Sequence, residues 1–195
     1  MAKAKSSAVP GVCEIAGNRL EGVRLLLCGI EAEATEKLIR MMLRAKRVFV
    51  TGKGRSGLIA GCAAMRLMQF GFNAHVPGEA TCPRITRGDL MIAISCSGTT
   101  MTTLQLARVS KESRAKVVSV TAVADCALTE TADHSLVIPV TGPEIRKRYR
   151  YALGPHNNTL FEEALLVYFD AVVYSLLERE GIPKRMLGQR HTNLE

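Results

Sequence analysis

The stretch Asp89-Leu-Met-Ile-Ala-Ile-Ser-Cys-Ser-Gly-Thr-Thr-Met-Thr-Thr103 decides the architecture of this chain. Leu90 to Ser95 is an apolar run of strand length that empties into hydroxyls and one glycine. Helical periodicity follows from Thr100 to Ser113. A strand apolar on both faces that turns straight into a helix is the unit of an α/β sheet covered on both sides. In such sheets ligands sit beyond the carboxyl ends of the strands. Ser95, Ser97, Thr99 and Thr100 would be presented there. The amides of the first helical turn point at the same spot, which suits an anion. The expected ligand is a phosphate on a small molecule, although an ordinary Ser/Thr N-cap accounts for one or two of the hydroxyls.

Working outward, four more β-rich runs lie at Arg47–Thr51, Asn73–Val76, Lys116–Thr121 and Ser135–Val140. Helical patterns at Ser56–Phe70, Thr100–Ser113 and Asp125–Thr131 separate them. Strands alternating with helices imply right-handed crossovers and a mainly parallel sheet. We expect a three-layer α/β/α sandwich with five parallel strands, formed by one domain over residues 1–195. Residues 1–45 form a helical lead-in, 46–141 the core, and 159–195 the C-terminal helices and tail. The lead-in pattern, Glu14 to Arg44, is amphipathic and breaks near Gly29. Leu160 to Arg179 is apolar around most of its circumference, so it must be buried from more than one side. Burial between subunits would achieve that, and we expect a homo-oligomer.

The chain has 195 residues, 47% hydrophobic and 23% charged, as in an ordinary globular protein with an ample core. Its start lacks the apolar segment of a signal peptide, and Ala164–Leu177 is too short to span a bilayer and contains Asp170. The chain reads as cytoplasmic, with no membrane partner. Six scattered cysteines lack any Cys-x-x-Cys pair and read as buried thiols. The four histidines are far apart, so no metal is expected. The net charge of +8 is dispersed except at Arg146-Lys147-Arg148-Tyr149-Arg150, and there is no tryptophan for base stacking. That argues against nucleic acid; a positive field equally suits a small anionic substrate.

After the first strand, Thr51-Gly-Lys-Gly-Arg-Ser-Gly57 matches Gly-x-Gly-x-x-Gly by letter. No acidic residue ends the second strand near His75 to bind a ribose, so a dinucleotide site is disfavoured. The glycines instead let backbone approach a small ligand while Ser56 offers its hydroxyl. This loop and the Ser95–Thr100 loop would bracket one crevice, with Gly78-Glu-Ala-Thr-Cys-Pro83 as another wall.

These motifs, with Ala64-Met-Arg-Leu-Met68, Thr159-Leu-Phe-Glu162 and the tail Arg190-His-Thr-Asn-Leu-Glu195, resemble the sugar-isomerase (SIS) domain. The Phe-Glu helix start and Arg-His tail are similar to those of the 6-phospho-3-hexuloisomerases in particular. The resemblance implies a flavodoxin-like strand order, a tetramer, and cofactor-free interconversion of 3-hexulose 6-phosphate and fructose 6-phosphate. It further implies that Ser95, Ser97 and Thr100, with the Cys96 amide, hold the phosphate and that Ser56 contacts the sugar. Glu162 would be the catalytic carboxylate, and His191 would reach a site in its own or a neighbouring subunit. The chain departs from the family pattern at Cys96, where glycine is usual, and over Ala152–Thr159.

Moving a carbonyl between adjacent carbons needs one base within reach of both, and a partly buried carboxylate such as Glu162 suits the task. His191 could exchange hydroxyl protons near neutrality. Each residue also has a plainer role. Glu162 near a helix start meets the helix dipole, and Glu163 beside it is chemically equivalent. His191 could be solvated, and His156 could be a rival acid/base or merely a loop residue. Lys53 and Arg55 could neutralise phosphate or simply face water, and Glu79 could line the crevice or sit in a turn. The rival functions are another phosphosugar isomerase, of arabinose 5-phosphate type, and a non-catalytic phosphosugar sensor. Sensors often carry a helix-turn-helix domain, for which the residues before the core are too few.

Overall fold

The computed structural model describes residues 10–140, 158–181, 190 and 193. Helices α1 (Val12–Cys28) and α2 (Ala32–Arg44) lead in, separated at Gly29. The core then runs β1 (Val48–Thr51), α3 (Arg55–Gln69), β2 (Ala74–His75), β3 (Leu90–Ile94), α4 (Met101–Glu112), β4 (Lys116–Thr121), α5 (Ala127–Thr131) and β5 (His134–Val137). A long α6 (Asn158–Glu180) closes the chain. The sheet is wholly parallel, in the order β2-β1-β3-β4-β5.

Alternation along each strand divides the core. Val48, Val50, Leu90, Ile92, Ile94, Val118, Val120 and Leu136 face α1, α2, α3 and α6. Phe49, Met91, Ala93 and Val117 face α4 and α5, through Leu104, Ala107 and Leu128. The expected three-layer sandwich is thus present. Strand bounds shift by one to three residues: Val76 and Ser95 fall outside their strands, and Ile138 and Val140 are buried beyond the end of β5, the Ile138 amide still donating to the Thr121 carbonyl at 2.8 Å.

One expectation needs correction. Only Cys96 is a buried thiol; Cys13, Cys28 and Cys62 are exposed, and Cys82 and Cys126 are half-buried. The exposed three lie on faces of α1 and α3 turned away from the sheet, positions that composition alone cannot separate from core. The breadth of the apolar face of α6 is largely satisfied within one chain, where the helix packs against both α1 and α3. Leu160, Phe161, Leu165, Phe169, Val173 and Leu177 are all buried there, while Leu166, Val167 and Tyr174 remain exposed. Polar ties hold the outer helices in register: Tyr168 donates to Thr35 Oγ1 at 3.0 Å, and Arg66 to Asp170 at 3.0 Å.

The order of the strands locates the site. From β1 the chain passes outward to β2, then crosses back over β1 to β3 and continues the other way. Successive loops leaving β1 and β3 therefore diverge to opposite faces. That leaves a crevice at the carboxyl ends of two neighbouring strands.

Candidate active site

The two loops that flank this crevice are the glycine loop after β1 and the hydroxyl loop after β3. In the first, Gly52 is required by close approach: a Cβ there would lie 2.8 Å from the Ser56 carbonyl oxygen. Gly54 (φ +58°) starts α3, placing Arg55 and the buried Ser56 in its first turn. Lys53 points to solvent.

The second loop is held by its own hydroxyls. Ser95 is 3% exposed; its Oγ lies 2.9 Å from Thr100 Oγ1 and accepts from the Gly98 amide at 3.1 Å. Ser97 Oγ lies 3.0 Å from Thr99 Oγ1 and accepts from the Thr99 amide at 3.3 Å. From below, the Cys96 carbonyl accepts from Thr121 Oγ1 at 3.2 Å and the Ala122 amide at 3.0 Å. Gly98 (φ +68°) sits so close to Cys126 that a Cβ would be 2.0 Å from its Sγ. The half-exposed Ser97 and Thr100 face outward at the N-terminus of α4, whose first amides have no acceptor in their own helix. Ser95 is chiefly the brace that shapes this turn.

The start of α6 adds two carboxylates with different surroundings. Glu162 is 5% exposed and accepts a hydrogen bond from Arg55 Nε, across to the glycine loop. Glu163 is clamped the other way by Arg19 of α1, whose Nε and Nη2 donate to Oε1 at 2.9 and 2.6 Å. Glu162 is therefore the carboxylate that shares the crevice edge with the two loops. Its charge reaches the hydroxyl loop: burial, and then the nearby Glu162, push the Cys96 thiol up to about 11. Cys96 is neutral at physiological pH, so it adds bulk and no charge to this loop.

The loop bearing Arg55 and Ser56 and the loop bearing Ser95, Cys96, Ser97, Thr99 and Thr100 leave neighbouring strands, and Glu162 bonds Arg55 and lies near Cys96. Arg55 pairs with Glu162 through its Nε, and that pairing raises its own affinity for a proton. Glu79 is exposed and lines a separate cavity of about 250 Å³ with Phe49, Cys82, Met91 and Leu106, on the α4 side of the sheet. His191, His156 and the Arg146–Arg150 cluster lie outside the described residues. Sequence reasoning missed the Arg19 clamp, the Arg55–Glu162 pair and the Cys126 seat beneath Gly98; nothing in their spacing announces them.

Comparisons with known proteins agree with this fold. The SIS domain family model matches residues 41–151. The 3-hexulose-6-phosphate isomerase of Mycobacterium gastri is 37% identical over 171 residues, covering 85% of this chain and 82% of that one. Its namesake from Bacillus subtilis is 35% identical over 167 residues, covering 85% and 89%. A crystal structure of a hypothetical Methanococcus jannaschii protein, described as inferring a molecular function of 3-hexulose-6-phosphate isomerase, superposes with a TM-score of 0.77. It is 29% identical, covering 93% of this chain and 97% of that one. With a doubly wound sheet, a hydroxyl loop at its switch point and a buried glutamate beside it, this chain belongs to the SIS-domain family, among the isomerases related to 3-hexulose-6-phosphate isomerase.

Proposed function

We propose that this enzyme interconverts 3-hexulose 6-phosphate and fructose 6-phosphate, with Glu162 as the base. The observation that carries the reading is the buried Glu162 at the crevice edge, beside a loop whose outward hydroxyls and helix amides suit a phosphoryl group. The relatives at 37% and 35% identity point to the same substrate. Ser97 and Thr100, with the Cys96 amide, hold the phosphate on the turn braced by Ser95. Ser56 contacts the sugar.

Glu162 takes the proton from C2, and the electrons of that C–H bond form the C2=C3 double bond of an enediol(ate). The C3 carbonyl oxygen gains a proton while the C2 hydroxyl loses one, and return of the carbon-bound proton to C3 leaves the carbonyl at C2. Nothing is oxidised or reduced outside the sugar, so the proposal needs no cofactor. His191 serves the oxygen protons, from its own or a neighbouring subunit's tail. The phosphate contacts are the same throughout; they hold the sugar while the other end reacts. The exposed Leu166, Val167 and Tyr174 on α6 support a homo-oligomer, taken here as a tetramer. The chain is assigned to the cytoplasm; among the described residues no helix is long and apolar enough to cross a membrane.

The test is a coupled assay of fructose 6-phosphate formation from enzymatically prepared 3-hexulose 6-phosphate, with Glu162→Gln beside the native chain. Turnover in the native enzyme with a loss of at least about 100-fold in the variant is expected. No native turnover overturns the hexulose assignment. Conversion of arabinose 5-phosphate instead, or binding of phosphosugars without conversion, would establish one of the two rivals.

A further inference from the structure

The buried carboxylate and the expected phosphoryl dianion are both negative, and they share one crevice. Water does little to separate them, because Glu162 is only 5% exposed and its charge already bears on Cys96 in the hydroxyl loop. That loop, Ser95 to Thr100, contains no cation of its own. Arg55 stands at the junction. Its Nε donates to Glu162 Oε2, and its terminal nitrogens make no hydrogen bond among the described residues. The pair is lopsided: the Arg55 side chain is 63% exposed, that of Glu162 7%. Local structure does not explain an arginine here, since a cation in the first turn of a helix opposes the macrodipole. Its backbone follows the strand next to the one that feeds the hydroxyl loop, and neighbouring strands are only about 4.8 Å apart.

We propose that Arg55 is the counter-ion of Glu162, a positioning residue that lets one crevice hold both a carboxylate base and a phosphoryl dianion. The inference rests on the isomerase reading above, which puts a phosphoryl group at the Ser95–Thr100 loop. Arg55 cancels the charge of Glu162 on the side facing the substrate and leaves the second carboxylate oxygen for chemistry. A pair that merely holds α3 to α6 would behave differently. Breaking it from either side would loosen the site and weaken binding alike. A counter-ion makes the two substitutions act in opposite directions.

The experiment measures binding of glucitol 6-phosphate, which carries the phosphoryl group but has no carbonyl to isomerise. Calorimetry would compare the full-length native chain, Arg55→Gln, Glu162→Gln and the double variant at low ionic strength. Glu162→Gln is expected to bind about five-fold tighter and Arg55→Gln about five-fold weaker, the upper end for an ion pair with one exposed partner. The double variant should return near the native value, Arg55→Lys should bind like the native protein, and added salt should shrink the spread. Weaker or unchanged binding by Glu162→Gln overturns the proposal. That arm stands even where Arg55→Gln fails to fold, because Gln matches Glu in shape and leaves Arg55 facing water. Binding with the wrong signs in an active isomerase overturns the counter-ion alone. Failure of all the proteins to bind overturns it together with the isomerase reading.

Discussion

At the scale of single residues, two adjacent glutamates of the same helix have been given separate work by their partners. Glu162 faces the crevice and pairs with Arg55, whereas Glu163 turns toward α1 and Arg19. The Glu163→Gln variant should therefore keep kcat within about three-fold of native while losing about 0.5–1 kcal/mol in a urea titration. A loss of turnover comparable to that of Glu162→Gln would reverse the assignment. Gly98 makes a second residue-scale case. Its positive φ costs a side chain about 1–3 kcal/mol, and Cys126 occupies the space a Cβ needs. Gly98→Ala should lower thermal stability and raise KM with a smaller effect on kcat. Adding Cys126→Ala should recover part of both losses by removing the clash while leaving the backbone strain. Full indifference of KM to Gly98→Ala would mean that the loop does not hold the phosphate.

At the scale of elements, the end of the sheet opposite the crevice is fastened by two carboxylates, one buried and one half-buried. Asp89, just ahead of β3, accepts from Arg47 at 3.0 and 2.7 Å and from the Thr86 amide at 2.7 Å. Asp133, just ahead of β5, is held by Lys111 at 2.8 Å, Lys116 at 2.9 Å and the Val117 amide at 2.9 Å. Burial alone would raise the Asp133 carboxyl, but these donors outweigh it and bring it from 3.8 down to about 2. A depressed carboxyl stabilises the fold above its unfolded value, and that stabilisation is lost as pH falls through the folded one. Between about pH 4 and pH 2 the native chain should lose about 1–2 kcal/mol from this group, after allowance for solvent screening. Asp133→Asn should already lack that increment at pH 7 and show a shallower acid decline in urea titrations across the window. Parallel curves for the two proteins would show that the ties at Asp133 contribute nothing.

At the scale of the whole molecule, most of α6 is satisfied inside the chain, and what remains is a small apolar patch. If that patch joins subunits, replacing Leu166, Val167 and Tyr174 with Glu should yield monomers in sedimentation velocity with an unchanged circular-dichroism spectrum. An unaltered sedimentation coefficient would move the interface elsewhere. The same scale explains why the crevice exists: only the crossing from β2 over β1 to β3 sends the two loops to opposite faces of the sheet.

The amino-acid sequence by itself determined the class of fold, because apolar strands and amphipathic helices are local patterns with periods of two and 3.6 residues. It likewise placed Ser95–Thr100 at a strand-to-helix turn, where hydroxyls and a glycine follow the β3 run. Strand ends were less legible: Ser95 reads as strand yet lies just past β3 with its hydroxyl bracing Gly98, and Ile138 lies past the end of β5 although its amide still bonds the Thr121 carbonyl. The electrostatics of the site were decided only by tertiary structure. Arg55 and Glu162 are 107 residues apart, Arg19 and Glu163 144, so their meeting depends on how α1, α3 and α6 pack together. Chemically the two glutamates are identical in sequence. Which of them pairs with Arg55 and which with Arg19 is set by how α6 packs against α1 and α3, and that is a property of long-range packing rather than of any local pattern.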